Sequence, residues 1–311
     1  MNLLKTMDMV SLSNHEVRID PSTARFRRAG CPIFIKKIFL IFILIITCAC
    51  SSKLYHPDHV YRITPSQFKQ IAPEEVVFHN KKGIPLTGWY FKSAKHPKGQ
   101  IVFFHGNSEN ISTHFATLYW ILNEGYDFFI FDYQGFGKSG GKPSPQGTLE
   151  DGEAALRWMQ AKNPQVSLIV FGQSLGGAIG LRSVIEMKNE IPIKAVVLDS
   201  TFLSYKSAAA SVLSHHWPTW PFQPLAYVLM SDRYAPKKRV REIAPIPLLI
   251  FHGDKDKVIS YNRGKKIYDT ALEPKTFITT PEGRHGDVFL NHGGKNRKLL
   301  LEWFRQLRLN Y

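Results

Sequence analysis

Cysteine is scarce in this sequence and missing from most of it. The three cysteines are Cys31, Cys48 and Cys50, and residues 51–311 contain none. This long segment cannot form an internal disulfide, which excludes the disulfide-stabilised class of small exported domains. The His, Cys, Asp and Glu residues also lack the spacing of metal ligands, so we expect no metal ion.

Long apolar runs are scarce as well. The longest covers residues 38–46, about half of the roughly twenty residues that a membrane-spanning helix needs. Lys36 and Lys37 precede this run and small residues follow it, which is the pattern of a secretory signal. We therefore expect export, with an uncleaved short anchor or a buried helix as the alternative.

The end of the signal resembles a bacterial lipobox, in which the last cysteine is acylated and becomes the mature N-terminus. Its residues are Thr47-Cys48-Ala49-Cys50. The resemblance implies a leader over residues 1–49 and a lipid on Cys50, which would then have no disulfide partner in the chain. We expect a lipid-anchored protein on the periplasmic face of the bacterial envelope, in the outer membrane, with the inner membrane as the alternative.

Acidic residues are too few to balance the basic ones. Asp and Glu number 25 against 40 Lys and Arg, which gives a formal net charge of +15. This surplus suits an anionic membrane surface. No nucleic-acid-binding module is visible, and the basic cluster Lys237-Lys238-Arg239 is expected on a solvated helix face. We therefore predict a membrane surface as a partner, and no nucleic acid.

No internal repeat or low-complexity run interrupts the rest of the chain. We interpret residues 50–72 as a tether and residues 73–311 as one domain with a substantial core. Short apolar runs alternate there with helical patterns, which predicts an α/β fold: a mostly parallel sheet with helices on both faces. The eight predicted strands lie near residues 76–78, 89–91, 101–104, 128–132, 168–171, 195–198, 248–251 and 277–279, and the helices near residues 111–124, 148–161, 174–189, 260–272 and 295–308.

The most informative motif is Gly172-Gln173-Ser174-Leu175-Gly176. It follows an apolar strand pattern and opens a helical one. A sharp strand-to-helix turn exposes the serine hydroxyl, and the two glycines let strand and helix cross closely. Ser174 is therefore the candidate nucleophile. The backbone N–H of Leu175, at the start of the helix, is a candidate donor to an oxyanion.

An activated serine needs a base and an acid, which follow it in chain order in this architecture. His285 follows the last predicted strand, and Asp256 follows the seventh. The carboxylate of Asp256 would fix one tautomer of the His285 imidazole, which could then take the serine proton. Asp199, after the sixth strand, and Asp254 are the alternative acids. We expect the other histidines of these turns, His105 and His252, to order their loops.

A second glycine-rich stretch matches a dinucleotide-binding pattern without its context. Gly135, Gly137 and Gly140 fit G-x-G-x-x-G after a strand, but that fingerprint has to open a helix directly. Here Pro143 and Pro145 postpone the helix. We therefore expect no nucleotide and no other cofactor.

Taken together, these motifs resemble those of the alpha/beta hydrolase superfamily. More narrowly, they are similar to its small-lidded group, which contains serine aminopeptidase-like hydrolases and membrane-associated acyl-thioesterase and bud-emergence-type hydrolases. The stretches that carry the resemblance are residues 105–110, 131–140, 172–177, 198–200, 252–258 and 283–285. Two positions depart from the pattern: Gln134 stands where arginine is usual, and Ser260 where proline is usual.

The resemblance implies an alpha/beta hydrolase fold with a short helical lid over residues 201–235. Residues 217–222 of that lid are rich in Trp and Pro, as a stiff apolar wall over a pocket would be. The resemblance also assigns the second oxyanion donor to the backbone N–H of Asn107.

The triad and the resemblance predict a serine hydrolase that works through an acyl-enzyme. A short apolar lid favours an ester or thioester of modest acyl length, in a small-molecule or lipid-like substrate. Cleavage of an amide or peptide bond is the alternative, and a catalytically idle binding protein on the same fold is a third interpretation. We expect a monomer.

Overall fold

Eight strands form one sheet in the computed structural model, which describes residues 54–94, 96–214, 221, 223–291 and 293–307. The strands are β1 Glu74–His79, β2 Pro85–Phe91, β3 Gly99–Phe104, β4 Tyr126–Phe131, β5 Leu168–Gln173, β6 Ile193–Asp199, β7 Leu248–Gly253 and β8 Lys275–Thr280. Their order is β1-β2-β4-β3-β5-β6-β7-β8. Strand β2 runs antiparallel to both of its neighbours, β1 and β4, and the other neighbouring strands of this sheet are parallel to each other. The predicted mostly parallel eight-stranded sheet is confirmed.

Seven α-helices connect or flank these strands in the described part of the chain. They are α1 Ile111–His114, α2 Pro145–Lys162, α3 Leu175–Met187, α4 Tyr205–Ser214, α5 Gln223–Leu229, α6 Tyr261–Thr270 and α7 Gly293–Gln306. The predicted helix over residues 111–124 is instead α1 followed by two short 3₁₀ segments, Phe115–Thr117 and Tyr119–Glu124. This stretch is rich in aromatic and β-branched residues, which are weak helix formers.

The core lies on both faces of the sheet because the side chains of a strand alternate in direction. Val102 and Phe104 of β3 pack into one apolar cluster with α2 and α3, while Ile101 and Phe103 pack into the other with α7. Full burial of each such Phe or Ile contributes about 1.5–3 kcal/mol. Helices therefore cover both faces, as predicted.

The parallel strands bring their carboxyl ends to one edge of the sheet, and the functional candidates follow those ends. Ser174 comes directly after β5, Asp256 after β7 and His285 after β8. Ligand sites of open α/β sheets form at this edge. Residues that are far apart in the sequence can therefore meet there.

The segment ahead of β1, interpreted above as part of a tether, lies against the domain from Leu54 onward. The Tyr55 hydroxyl is 3.1 Å from the hydroxyl of Thr148, and Tyr61 donates to the Asp132 carboxylate at 2.6 Å. The predicted leader, residues 1–49, and Cys50 lie outside the described residues.

The predicted lid contains α4 and α5 between β6 and β7. Residues 215–220 and 222 lie outside the described residues, and with them all of the Trp- and Pro-rich stretch except Pro221. Within the part of the chain that is described, no helix has the length and apolar character needed to cross a bilayer.

Candidate active site

Ser174 occupies a strained turn between β5 and α3. Its backbone has φ 52° and ψ −120°, a region that costs a non-glycine residue of order 1–3 kcal/mol. The flanking glycines make the turn possible. A Cβ on Gly172 would lie 2.6 Å from the Cα of Gly177, and a Cβ on Gly176 would overlap the carbonyl oxygen of Phe104. The crossing of strand and helix thus pushes Ser174 forward, toward the edge of the sheet.

The structure brings Ser174, His285 and Asp256 together. The Nε2 atom of His285 is 3.0 Å from the Oγ of Ser174, and its Nδ1 is 2.8 Å from Oδ2 of Asp256. A carboxylate can only accept here, so Nδ1 carries the proton and Nε2 is free to accept the proton of the serine hydroxyl. The side chains are in the order that nucleophilic attack requires.

Asp256 is held in place by its own loop. Its Oδ1 accepts hydrogen bonds from the amides of Val258 and Ile259, both at 2.8 Å. Burial alone would raise the pKa of Asp256, but His252 and His285 act against it and hold that pKa well below its usual range. Asp256 therefore stays ionised opposite the imidazole of His285.

His252 orders the acid loop. Its Nε2 donates to the carbonyl of Ile259 at 2.7 Å and lies 3.4 Å from Oδ2 of Asp256. The ring is fully buried, and α6 passes so close that a Cβ on Gly264 would overlap it. His252, near the end of β7, is thus a positioning residue behind Asp256.

The alternative acids have other partners. The Asp199 carboxylate accepts from Gln173 Nε2 at 3.0 Å and from the Ser200 hydroxyl at 2.8 Å. Asp254 accepts from the amide of Glu282 at 2.8 Å. Each of these carboxylates thus accepts from a neighbouring turn or strand end, and Asp256 is the acid hydrogen-bonded to His285.

The two predicted oxyanion donors flank the nucleophile. Leu175 is the first residue of α3, and amides of a first helical turn have no acceptor within the helix. On the other side, the turn after β3 approaches so closely that a Cβ on Gly106 would be 3.6 Å from the Cβ of Ser174. Asn107 follows in that turn and lines the cavity beside Ser174.

The turn that carries Asn107 is strained, and the N-terminal segment holds it. Ser108 and Glu109 both adopt positive φ angles, 63° and 85°. The Asn110 side chain donates to the carbonyls of Asp58 and Val60 at 3.1 and 2.9 Å. Because non-glycine residues avoid this region of φ, outside contacts have to keep the turn in place.

Two buried histidines lie behind the same turn. His105 donates from Nδ1 to the carbonyl of Gly106 at 2.8 Å, and burial together with His114 lowers the pKa of His105 well below its usual value. Burial also lowers the pKa of His114, whose ring stacks on His105 at 5.1 Å. Neutral His105 orders the loop, as expected. His114 lines the cavity, and no sequence motif marks it.

A cavity of about 750 Å³ opens onto Ser174, and we call it the acyl cavity. The lid supplies most of its apolar wall: Ala209, Leu213, Leu225, Ala226, Leu229 and Met230. Leu54, Val258 and Leu290 complete that wall, while His56 and Glu109 add polar groups. Among the described residues, no three His, Cys, Asp or Glu side chains are arranged to hold a metal ion.

Known proteins resemble this chain over most of its length. A family model described as Hydrolase_4, serine aminopeptidase S33, matches residues 95–242. The uncharacterized protein YfhR of Escherichia coli K12 is 34% identical over 282 residues, which cover 86% of this chain and 93% of the relative. The lysophosphatidylserine lipase ABHD12 of Danio rerio is 30% identical over 196 residues, 60% of this chain and 51% of that protein.

Solved structures of esterases share the architecture at low identity. The Pyrococcus furiosus esterase Pf2001 superposes with a TM-score of 0.64 at 17% identity, covering 81% of this chain and 97% of that one. The esterase domain of a Rhodothermus marinus protein gives a TM-score of 0.55 at 20% identity, covering 75% and 98%. These similarities confirm the fold that the motifs predicted.

Proposed function

We propose that this chain, which belongs to the serine aminopeptidase S33 family of the alpha/beta hydrolases, is a serine hydrolase that cleaves carboxylic esters through an acyl-enzyme. One observation carries the proposal. Ser174 stands on a strained turn at the floor of an apolar cavity, 3.0 Å from an imidazole that is itself 2.8 Å from a buried carboxylate.

The geometry supports a two-step acyl transfer. In the first step, the Oγ of Ser174 bonds to the ester carbonyl carbon while His285 Nε2 takes the hydroxyl proton. The tetrahedral intermediate collapses when His285 returns that proton to the leaving oxygen, which frees the alcohol. Water then repeats the sequence on the acyl-enzyme and restores Ser174. Asp256 keeps the imidazole in the required tautomer and balances its charge.

The oxyanion would be stabilised by the amides of Leu175 and Asn107. Leu175 follows the nucleophile directly, and Asn107 lines the same cavity and is hydrogen-bonded to Leu54. Preorganised donors of this kind matter because removing one typically costs about 2.7–4 kcal/mol of transition-state stabilisation.

The acyl cavity supports an ester or thioester with an aliphatic acyl chain as substrate. Its lid side consists of Ala, Leu and Met side chains, which favour hydrocarbon over charged groups. The relative described as a lysophosphatidylserine lipase supports the same class of substrate. A small-molecule or lipid-like acyl ester is therefore the proposed substrate, acted on by a monomer.

Cleavage of an amide bond next to a free amine is the second candidate. It needs a carboxylate for the substrate ammonium group, and Glu109 lines the acyl cavity. Glu109 is exposed and lies on the oxyanion turn. This position would suit the amino group of an aminoacyl substrate.

A lipid anchor on Cys50 is part of the proposal, together with location in the bacterial envelope. Leu54 lines the acyl cavity, and only three residues separate it from Cys50. An extended chain spans at most about 3.6 Å per residue, so an anchored Cys50 would lie within about 15 Å of the cavity wall. Such an anchor would keep the active site at a membrane surface, where acyl lipids are found.

A panel of chromogenic substrates tests the proposed function. Purified protein is assayed with p-nitrophenyl esters of graded acyl length and with aminoacyl p-nitroanilides, in parallel with the Ser174→Ala variant. We expect the wild type to hydrolyse the esters and the Ser174→Ala variant to have lost this activity. The control is Ser66→Ala, at an exposed serine far from Ser174 in the sequence, which should keep the activity. Equal ester turnover by Ser174→Ala would overturn the proposal. Anilide turnover that Glu109→Gln removes would favour the amidase.

A further inference from the structure

A second cavity meets the first at the catalytic imidazole. It has a volume of about 680 Å³ and is lined by Lys255, Lys257, Val258, Glu282, Arg284 and His285. We call it the basic cavity. Val258 and His285 line the acyl cavity as well. The two cavities thus share the ring that the proposed reaction uses to transfer its proton.

The basic cavity carries an excess of positive charge. Three of its lining residues are cations and one, Glu282, is an anion. Lys255 reaches Glu282 at 3.8 Å, but both side chains are largely exposed, so this pair is loosely held. Lys257 and Arg284 form no salt bridge with a carboxylate in the described part of the chain. They remain available to an anion from solution.

The order of the chemical steps relates the basic cavity to the leaving alcohol of the substrate. His285 Nε2 delivers the proton to the leaving oxygen, so the alcohol has to depart on the side of the imidazole. The acyl chain stays bonded to Ser174 and lies in the acyl cavity. The basic cavity, which begins at His285, is then where the rest of the alcohol lies.

We propose that the basic cavity binds an anionic group, a phosphate or a carboxylate, on the leaving alcohol of the ester. The substrate is therefore an amphiphile, with an aliphatic acyl chain on one side of the ester bond and an anionic head on the other. This inference rests on the proposed esterase function. Arg284 can offer a bidentate fork to the anion and Lys257 a point charge.

Three esters with the same decanoyl chain test the inference: those of glycerol, glycerol 3-phosphate and glyceric acid. They differ in the charge of the leaving alcohol and keep the acyl part constant. An exposed ion pair changes binding by up to about fivefold, so two cations should give a charged ester a preference of up to about 25-fold in kcat/KM over the glycerol ester. Added salt should reduce this preference, because it screens exposed charges. The two charged esters distinguish a phosphate head from a carboxylate head.

The double variant Lys257→Gln/Arg284→Gln should remove this preference, lowering the ratio of charged to neutral kcat/KM by up to about 25-fold. The matched control is Lys194→Gln/Arg241→Gln, because these exposed cations lie near the amino ends of β6 and β7, away from the catalytic edge. The control should keep the wild-type ratio. A double variant with an unchanged ratio, or a wild type that prefers the glycerol ester, would overturn the inference.

An inhibition assay keeps the inference testable if the double variant folds poorly. Glycerol 3-phosphate, added during hydrolysis of a p-nitrophenyl ester by the wild type, should inhibit at lower concentration than glycerol, and Lys257→Gln alone should weaken that inhibition. Equal inhibition by both compounds would argue against an anion site. Hydrolysis of the neutral glycerol ester tests the proposed esterase function separately. If the Ser174→Ala variant still hydrolyses this ester at the wild-type rate, the proposed function is wrong, whatever the preference for a charged head group.

Discussion

The side-chain amide of Asn107 donates to the backbone carbonyl of Leu54 at 2.7 Å, and its oxygen accepts from the His56 amide at 2.9 Å. One side chain thus joins the oxyanion turn to the segment that follows Cys50. Since Ser108 and Glu109 hold strained φ angles, the turn depends on such outside contacts. We call this pair of hydrogen bonds the Asn107 clamp.

Asn107→Ala should lower kcat about tenfold and leave KM nearly unchanged. The backbone N–H is still present but is aimed less well, so the loss should be smaller than the roughly 10²–10³ that removal of an oxyanion donor costs. Asn107→Asp is the matched variant, because it can still accept from His56 but cannot donate to Leu54. The kcat of Asn107→Asp should lie between the values of the wild type and of Asn107→Ala. A rise in KM alone, with kcat preserved, would contradict this role for the clamp.

The second prediction separates the candidate acids. Asp256→Asn should reduce kcat by about 10⁴, because an amide can hold the imidazole in the wrong tautomer. Asp199→Asn should cost far less, since that carboxylate bonds to Gln173 and Ser200 and not to His285. Steady-state kinetics on one p-nitrophenyl ester compare the two variants. The reverse order of losses would transfer the acid role to Asp199.

The main features of the fold and the grouping of Ser174, Asp256 and His285 could be predicted because their signals are local. An apolar strand, a glycine on each side of Ser174 and a following helical pattern occupy one short stretch, and Asp256 and His285 each follow a strand. The parallel order of the strands then brings three distant loops to one edge. Ser174, Asp256 and His285 can therefore each be identified from the residues next to them in the sequence.

The Asn107 clamp could not be predicted in this way. Its two halves are separated by 53 residues, and neither a periodicity nor a motif connects Leu54 with the oxyanion turn. Residues 54–72 have little apolar patterning, which favours a tether, yet Tyr55 and Tyr61 find partners in the domain. His114 could not be identified from the sequence for a similar reason, since only tertiary contacts bring it beside His105.

The third prediction concerns the pH dependence of stability. His252 and His285 hold the pKa of Asp256 below its usual range in the folded state, against the effect of burial. In the unfolded chain the Asp256 carboxylate has its ordinary pKa of about 3.9, so it binds a proton at a higher pH than in the folded state. The stabilisation from Asp256 is fully present above that pH and is lost as the pH falls through it and below.

Denaturant unfolding of wild type and Asp256→Asn at several pH values measures this effect. The free energy of unfolding should be lower for the variant at pH 7, and the gap should narrow below about pH 4. Asp254→Asn, at an exposed carboxylate of the same loop, is the control. A gap that stays constant down to pH 3 would show that Asp256 is not stabilised in its ionised form.

The fourth prediction tests the lid wall of the acyl cavity. Leu229 lines the cavity, whereas its neighbour Val228 does not and is 60% exposed. Leu229→Trp should fill part of the cavity and lower the preference for octanoyl over butyryl esters, by about fourfold for each methylene that no longer fits. Val228→Trp is the matched control and should keep the wild-type preference. If both variants shift it equally, α5 does not bind the acyl chain.

The last prediction concerns the anchor, which lies outside the described residues. In a bacterial host, the full-length chain should partition into the membrane and incorporate labelled palmitate, because several acyl chains on Cys50 would hold it firmly where one holds only marginally. Cys50→Ser should remove the label, while Cys48→Ser, two residues away, should retain it. Esterase activity should survive Cys50→Ser, since this residue precedes the segment that contacts the active site. Palmitate labelling that persists in Cys50→Ser, or a mature N-terminus mapped by mass spectrometry to another residue, would show an ordinary signal or an uncleaved anchor.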